Sequence, residues 1–395
     1  MDVSARLRRW ALARPRVLVV DAPATGRLRR AVEDEIDRRG WRAAVSPADT
    51  DLLLVLGHPG PGLAQAVSTV WTQVPRPRLR RDLRDAGAVA AGLDEALRDL
   101  HRSAVDPALD EGSEAPALGA GPGADDGDGG HDMSSGHDMP SGHDVSGGHD
   151  VSGGHGGHHT DGGHHMDGGH DMHAGHDMHG GDVAGLPMAG TAPDRDGLDL
   201  DSLSVSVGPI LPAWPTGLVL RASLQGDVLT GVDLSWIDGD SHGDGPPGPE
   251  PAPPEVVALD RLARFLDVAG WAQAARRARH ARRLLESGDP ADVERGRREA
   301  ERVARRVQRS RVLAWSVRGL GAPEARDRDG GAPARVRSWC RTAAGRGEGG
   351  DAGVLPPSAA ADLLEGAELA AARLVVASLA LQRSPALART AGGGG

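Results

Sequence analysis

Thirteen of the 17 histidines lie between residues 131 and 179, in a glycine-spaced hexapeptide repeat. The repeat sits inside a longer stretch, from about 104 to 200, that is rich in Gly, Asp, Ser and Pro and poor in large apolar groups. A segment of that composition cannot bury enough apolar surface to offset the entropy of ordering it. It is expected to be a disordered linker, so the chain on each side must build its own core. The 395 residues leave room for two ordinary domains beside it, over 1–103 and 201–395.

The first hundred residues predict an α/β domain with a small parallel sheet. Arg16 to Val20 is a short β-branched run. Thr25 is placed to cap a helix in which Leu28, Val32 and Ile36 recur every four residues, and Gly40 to close it. Trp41 to Val45 reads as a second short strand. The run DLLLVLG, Asp51 to Gly57, is almost continuously apolar, as expected of a central parallel strand buried on both faces. A helix follows with Leu63, Val67 and Val70 on one face. Strand, helix, strand, strand, helix fits a small doubly wound sheet.

After the linker the pattern changes to α+β. LSVSV and GLVLRASL alternate apolar and polar residues, and QGD turns the chain into VLTGVDLSWI. That predicts a small antiparallel β unit over 203–237. A Gly/Pro-rich break at 238–254 leads into a helical bundle over 255–382. Val256, Leu259, Leu262, Phe265 and Leu266 share one helical face. Leu284 and Leu285 end an arginine-rich helix, and Val303, Val307, Leu313 and Val317 mark another. A Gly/Arg-rich gap at 321–350 precedes a last helix near 358–382.

Composition removes several chemistries. The chain has no Lys, no Asn and no Tyr, so all 45 basic residues are Arg. A Lys Schiff base, a Walker lysine and a Tyr acid are excluded. Cys340 is the single cysteine, which excludes an internal disulfide framework and any iron–sulfur cluster held by four thiolates of this chain alone. The formal charge of -11 argues against a nucleic-acid partner. The opening residues carry an apolar stretch broken by Arg14, Pro15 and Arg16, a poor signal peptide. The late stretch LAAARLVVASLAL carries Arg373 and is too short to span a membrane. The expectation is a cytoplasmic protein with no direct membrane span.

The histidine tract carries the clearest chemistry. One register holds His131, His137, His143, His149 and His155, and another holds His158, His164, His170 and His176. His159, His165, His173 and His179 complete the set. Asp often follows His, and Met133, Met139, Met172 and Met178 complete HDM units. Neutral imidazole suits Ni, Zn, Co and Cu, carboxylate adds charge, and thioether favours Cu(I). Glycine between ligands lets several converge on one divalent transition metal ion without preorganising a site. Binding then follows metal supply, and it weakens as imidazoles protonate near their usual pKa of about 6.5. The alternative is a solvated low-complexity linker that binds metal only because histidines do.

Other features carry less. GHPGPG, Gly57 to Gly62, joins a strand to a helix where phosphates often bind, yet it matches neither a Walker loop nor a dinucleotide fingerprint. It reads as a tight turn, with His58 a turn residue. Cys340 in RSWCRT has arginine neighbours that could lower its pKa, but no His near it in sequence. The arginine-rich helices at 276–283 and 297–311 read as solvated faces, with docking to an acidic partner or anionic lipid as the alternative.

Two stretches resemble different subunits of one machine. Ser46 to Arg78 resembles the cluster-bearing small subunit of respiratory complex I and of related nickel–iron hydrogenases. Asp51, Gly57, Leu63, Ala64, Val70, Trp71, Gln73, Pro75, Pro77 and Arg78 hold comparable places. Val207 to Leu234 resembles the opening of the quinone-site large subunit, through Gly208, Pro209, Pro212, Gly217, Leu218, Arg221, Leu224, Gly226 and Asp227. The departures fall on the redox equipment. The small subunit's cluster cysteines have no counterpart. The large subunit's two motif histidines fall on Leu211 and Pro215, and its quinone-side tyrosine is missing.

The resemblance implies a small-subunit-like domain fused to a large-subunit-like domain without redox ligands. The function expected from it is a non-catalytic accessory, assembly or metal-handling factor. Its expected partners are subunits of a membrane NADH–quinone oxidoreductase or hydrogenase-like complex at the inner face of the plasma membrane. Two alternatives stay open: an electron-transfer subunit that borrows its cluster from a partner, and a metal buffer or metallochaperone with the flanking domains as scaffolding.

Overall fold

In the computed structural model, which describes residues 12–104, 190–193, 199–239, 252–322, 330–347 and 355–381, the apolar run Leu52–Leu56 is the central strand of a parallel sheet. The sheet is formed by β1 (Arg16–Asp21), β2 (Arg42–Ala43), β3 (Leu52–Leu56) and β4 (Leu79–Leu83), in the order β2-β1-β3-β4. Every pairing is parallel. All five β3 side chains are buried because helices cover both faces. These are α1 (Gly26–Arg39), α2 (Pro61–Gln73) and α3 (Val89–Ser103). Leu28, Val32 and Ile36 of α1 and Val89, Leu93 and Ala96 of α3 pack on one face with Leu52, Leu54 and Leu56. Leu63, Val67 and Trp71 of α2 pack on the other with Leu53 and Val55.

Gly40 ends α1 in the left-handed conformation, at φ 66°. Thr25 precedes α1 as expected but does not cap it, because its hydroxyl donates to the Ala22 carbonyl at 2.7 Å. Neither β4 nor α3 follows from the sequence pattern proposed above. β4 is an edge strand whose Arg80, Arg81 and Asp82 hide the alternation of a half-buried strand.

The second sheet is antiparallel, in the order β5 (Gly190–Pro193), β6 (Asp199–Val207), β7 (Leu218–Gln225) and β8 (Val228–Trp236). It begins earlier than the expected β unit, since β5 lies inside the span assigned to the linker. Gln225 pairs with Val228, so Gly226 and Asp227 form the tight turn between β7 and β8. One face of the sheet carries Leu218, Leu220, Leu229, Leu234 and Trp236 into a core shared with Leu364, Val375 and Val376.

The helices that follow are α4 (Pro254–Val268), α5 (Ala272–Leu285), α6 (Pro290–Gln308), α7 (Arg311–Ser316), α8 (Gly331–Ala343), α9 (Pro357–Ala361) and α10 (Leu369–Leu379). The face expected on α4 is buried as read. α5 presents Ala274, Ala275, Ala278 and Ala281 to its neighbours, and these small side chains let α4 and α6 approach closely. The apolar period from Val303 to Val317 belongs to two helices. The chain breaks at Arg309, and the Ser310 hydroxyl accepts the Leu313 N–H at 3.2 Å to start α7. α8 lies inside the span read as a gap, and it brings Val336, Trp339 and Cys340 into the core. The described residues fall in one compact unit. Among them no helix is long and apolar enough to cross a membrane.

Candidate functional site

β1 and β3 are neighbours, yet the helices that follow them leave to opposite faces of the sheet. In an open parallel sheet the crevice beyond the carboxyl ends of two such strands is where ligands bind. Here the second module of the chain occupies it. Asp21, the last residue of β1, accepts a hydrogen bond from Thr216 Oγ1 at 2.5 Å. Asp238, just after β8, accepts from the Gly62 N–H at 2.6 Å and the Leu63 N–H at 3.3 Å. Its carboxylate therefore sits at the N-terminus of α2, where unpaired N–H groups and the helix dipole favour an anion. A Cβ on Gly60 would lie 2.5 Å from Asp238 Oδ2, so the glycine is needed for this approach. Gly57 turns at φ 77°, and a Cβ there would meet Thr25 Cγ2 at 2.4 Å. The GHPGPG loop is thus a carboxylate cradle filled from within, and His58 is exposed beside it.

Beneath this contact runs a buried ion network. Arg29 of α1 bonds Glu33 at 2.5 Å and Asp260 of α4 at 2.6 Å, and lies 3.6 Å from Asp21. Arg282 of α5 has 0% side-chain exposure and reaches Asp260 at 2.5 Å, Glu33 at 2.9 Å and Asp34 at 3.0 Å. Arg279 bridges Asp37 at 2.7 Å and Asp267 at 2.5 Å. Burial pushes the Asp260 and Glu33 carboxyls upward, but Arg29 and Arg282 outweigh it and hold both below the ordinary range. Asp34 is different: burial lifts it to about 6 against the pull of Arg282. The network fastens α1 to α4 and α5, and each carboxylate in it has a guanidinium partner.

This corrects part of the reading of 276–283 as a solvated face: Arg276 and Arg277 are exposed, but Arg279 and Arg282 point inward. The signal was present, because Arg282 falls on the same stripe as Ala275 and Ala278. No motif marked Asp238, Thr216 or Asp260, whose roles come from partners far away in sequence. Cys340 is also corrected. It is buried in the α8 core, and burial pushes its thiol up to about 12, so its arginine neighbours in sequence do not activate it.

The thirteen histidines from His131 to His179 lie outside the described residues. Among the described residues no group of three His, Cys, Asp or Glu could hold a metal ion. Pro215, on one of the places matched to a large-subunit histidine, lines a cavity of about 40 Å³ with Asp260, Arg264 and Val376. Leu211 packs against the sheet core instead. Comparison of the chain with known protein families, with curated proteins and with solved structures finds no match.

Proposed function

We propose that this chain is a non-catalytic, complex I-like fusion protein, an accessory or metal-handling factor for a respiratory NADH–quinone oxidoreductase or hydrogenase-like complex. One observation carries the reading: the two stretches that resemble separate subunits touch each other. Ile210, from the second, packs on the cluster that holds Leu63, Val67 and Val70 of the first. The volume beside Pro215 supports the non-catalytic role over an electron-transfer subunit. It is about 40 Å³, whereas pockets that bury an organic ligand run to roughly 300 Å³ or more.

In this reading the repeat His131 to His179 takes up Ni, Zn, Co or Cu, and the fused modules bring that capacity to subunits of the complex at the inner face of the plasma membrane. The density of histidines favours one second reading, a metal buffer or metallochaperone whose flanking modules are scaffolding.

The test is elemental analysis of untagged protein from its own host, with co-purification on the membrane respiratory complex measured in the same preparation. Bound nickel, zinc, cobalt or copper together with the complex supports the proposal. Metal without the complex moves the reading to a buffer. Several iron atoms per chain would revive electron transfer. Deleting 131–179 is expected to remove most divalent-metal capacity, and an unchanged titration stoichiometry would refute the role of the repeat.

A further inference from the structure

From Arg302 to Ala322 the sequence carries six arginines and no carboxylate. This run covers the end of α6, all of α7 and the turn after it. A concavity of about 560 Å³ opens there, lined by Arg277, Arg302, Arg305, Arg306 and Arg309 with Trp271 and Ser310. Among the described residues no acidic side chain lines it. Arg306 stacks over the Trp271 ring at 5.6 Å, which holds one guanidinium in the wall. Arg302 and Arg305 have partners in Glu299 and Glu301, the latter at 3.8 Å. Arg277, Arg309, Arg311 and Arg318 have no ion pair with a described carboxylate.

Beside this groove α7 turns two apolar side chains outward. Val312 is 76% and Trp315 78% exposed, while Leu313 and Val317 anchor the same short helix in the core. An outward Trp flanked by arginines has the composition of a membrane-interface anchor. The exposed apolar pair is too small for the core of a stable protein interface, which takes about 800 Å² from each partner. It is large enough to enter a headgroup layer. The guanidinium fork, in turn, matches phosphate oxygens two at a time.

The charge of the whole chain hides this surface. Residues 104–200 hold 19 carboxylates and one arginine, so the rest of the protein is net +7 although the chain is -11.

We propose that the α6–α7 corner is a docking surface for an anionic lipid bilayer, with Trp315 and Val312 entering the interface and the arginine groove receiving lipid phosphates. The proposal stands apart from the function proposed above and does not need the histidine repeat.

The experiment is flotation of the full-length protein with two kinds of vesicle, phosphatidylcholine alone and phosphatidylcholine doped with phosphatidylglycerol. Binding is expected to the anionic vesicles only, to weaken as salt rises, and to shift tryptophan emission to the blue. Trp315→Ser is expected to remove that shift. The double variant R309E/R311E is expected to weaken partitioning by at least about tenfold. All these positions are exposed surface, and matching circular dichroism melts check that the variants fold.

Absence of binding to anionic vesicles overturns the proposal, as does equal binding to both kinds or unchanged binding by both variants. Competition arms separate the sources of anion. Inorganic pyrophosphate that binds the groove without vesicle flotation would make it a soluble-anion site. Polyglutamate that binds and is not displaced by anionic vesicles would make it an acidic-protein site. Either result overturns the lipid assignment.

Discussion

Asp260 Oδ1 lies 2.5 Å from Arg282 Nη1, and its other oxygen lies 2.6 Å from Arg29 Nη2. One carboxylate of the helical module thus holds two arginines, one from its own module and one from the parallel-sheet module. A buried ion pair of this kind adds little net stability over a well-packed apolar pair, but breaking it leaves charges buried without partners. Arg282→Ala takes from Asp34 its guanidinium partner and leaves Asp260 and Glu33 with Arg29 alone. The expected loss is about 3–5 kcal/mol by urea denaturation. A loss below about 1 kcal/mol for Arg282→Ala would show that the network carries no structural weight.

Asp34 makes the stability of the fold depend on pH in an unusual direction. Burial lifts its carboxyl to about 6 from the ordinary 3.8, against Arg282. Between those values the folded chain holds a proton that the unfolded chain has released. The contribution is therefore fully present below the unfolded pKa and is lost as pH rises through about 6. Asp34→Asn keeps an acceptor for Arg282 and removes the titration. The stability of the unmodified protein relative to this variant is expected to fall as pH rises across that window, by at most about 3 kcal/mol. Urea midpoints from about pH 4 to pH 7 check it, and a flat difference would refute it.

Cys340 is expected to be inert while the protein is folded. Its thiol is fully buried and pushed up to about 12, so little thiolate forms at neutral pH and none of it is accessible. Reaction with a thiol-specific disulfide reagent should be at least about a thousandfold slower in native protein than in denaturant. Rapid native labelling would mean that α8 opens readily.

The parts of the fold that could be read in advance are those whose sequence reports their own burial. β3 is apolar at every position because both faces of the sheet are covered, and the α4 face repeats at helical period because one side meets the core. β4 was hidden because an edge strand with LRRDL has no apolar alternation. α3 carried a usable period in Val89, Leu93, Ala96 and Leu100, and α8 was obscured by the glycines and arginines around it. The junction was illegible for a different reason. Asp238 is 176 residues from the N–H it caps, and Asp260 is 231 from Arg29. Neither pairing leaves a local pattern.

Asp238 offers the most direct test of that junction. Its carboxylate caps the N-terminus of α2 from the end of β8, with bonds of 2.6 and 3.3 Å to consecutive N–H groups. Asp238→Ala leaves those donors and the helix dipole without an anion, and the expected loss is about 1–2 kcal/mol. The freed cradle has the form that binds phosphate at strand-to-helix turns. Inorganic phosphate is therefore expected to raise the melting temperature of Asp238→Ala more than that of the unmodified protein, in which the carboxylate already fills the place. Asp238→Asn retains an acceptor without the charge and should fall between the two in both respects. Thermal melts of the three proteins with and without phosphate at constant ionic strength make the comparison. Equal phosphate stabilisation of all three would mean that the carboxylate does not occupy the anion position, and that the GHPGPG loop is only a turn.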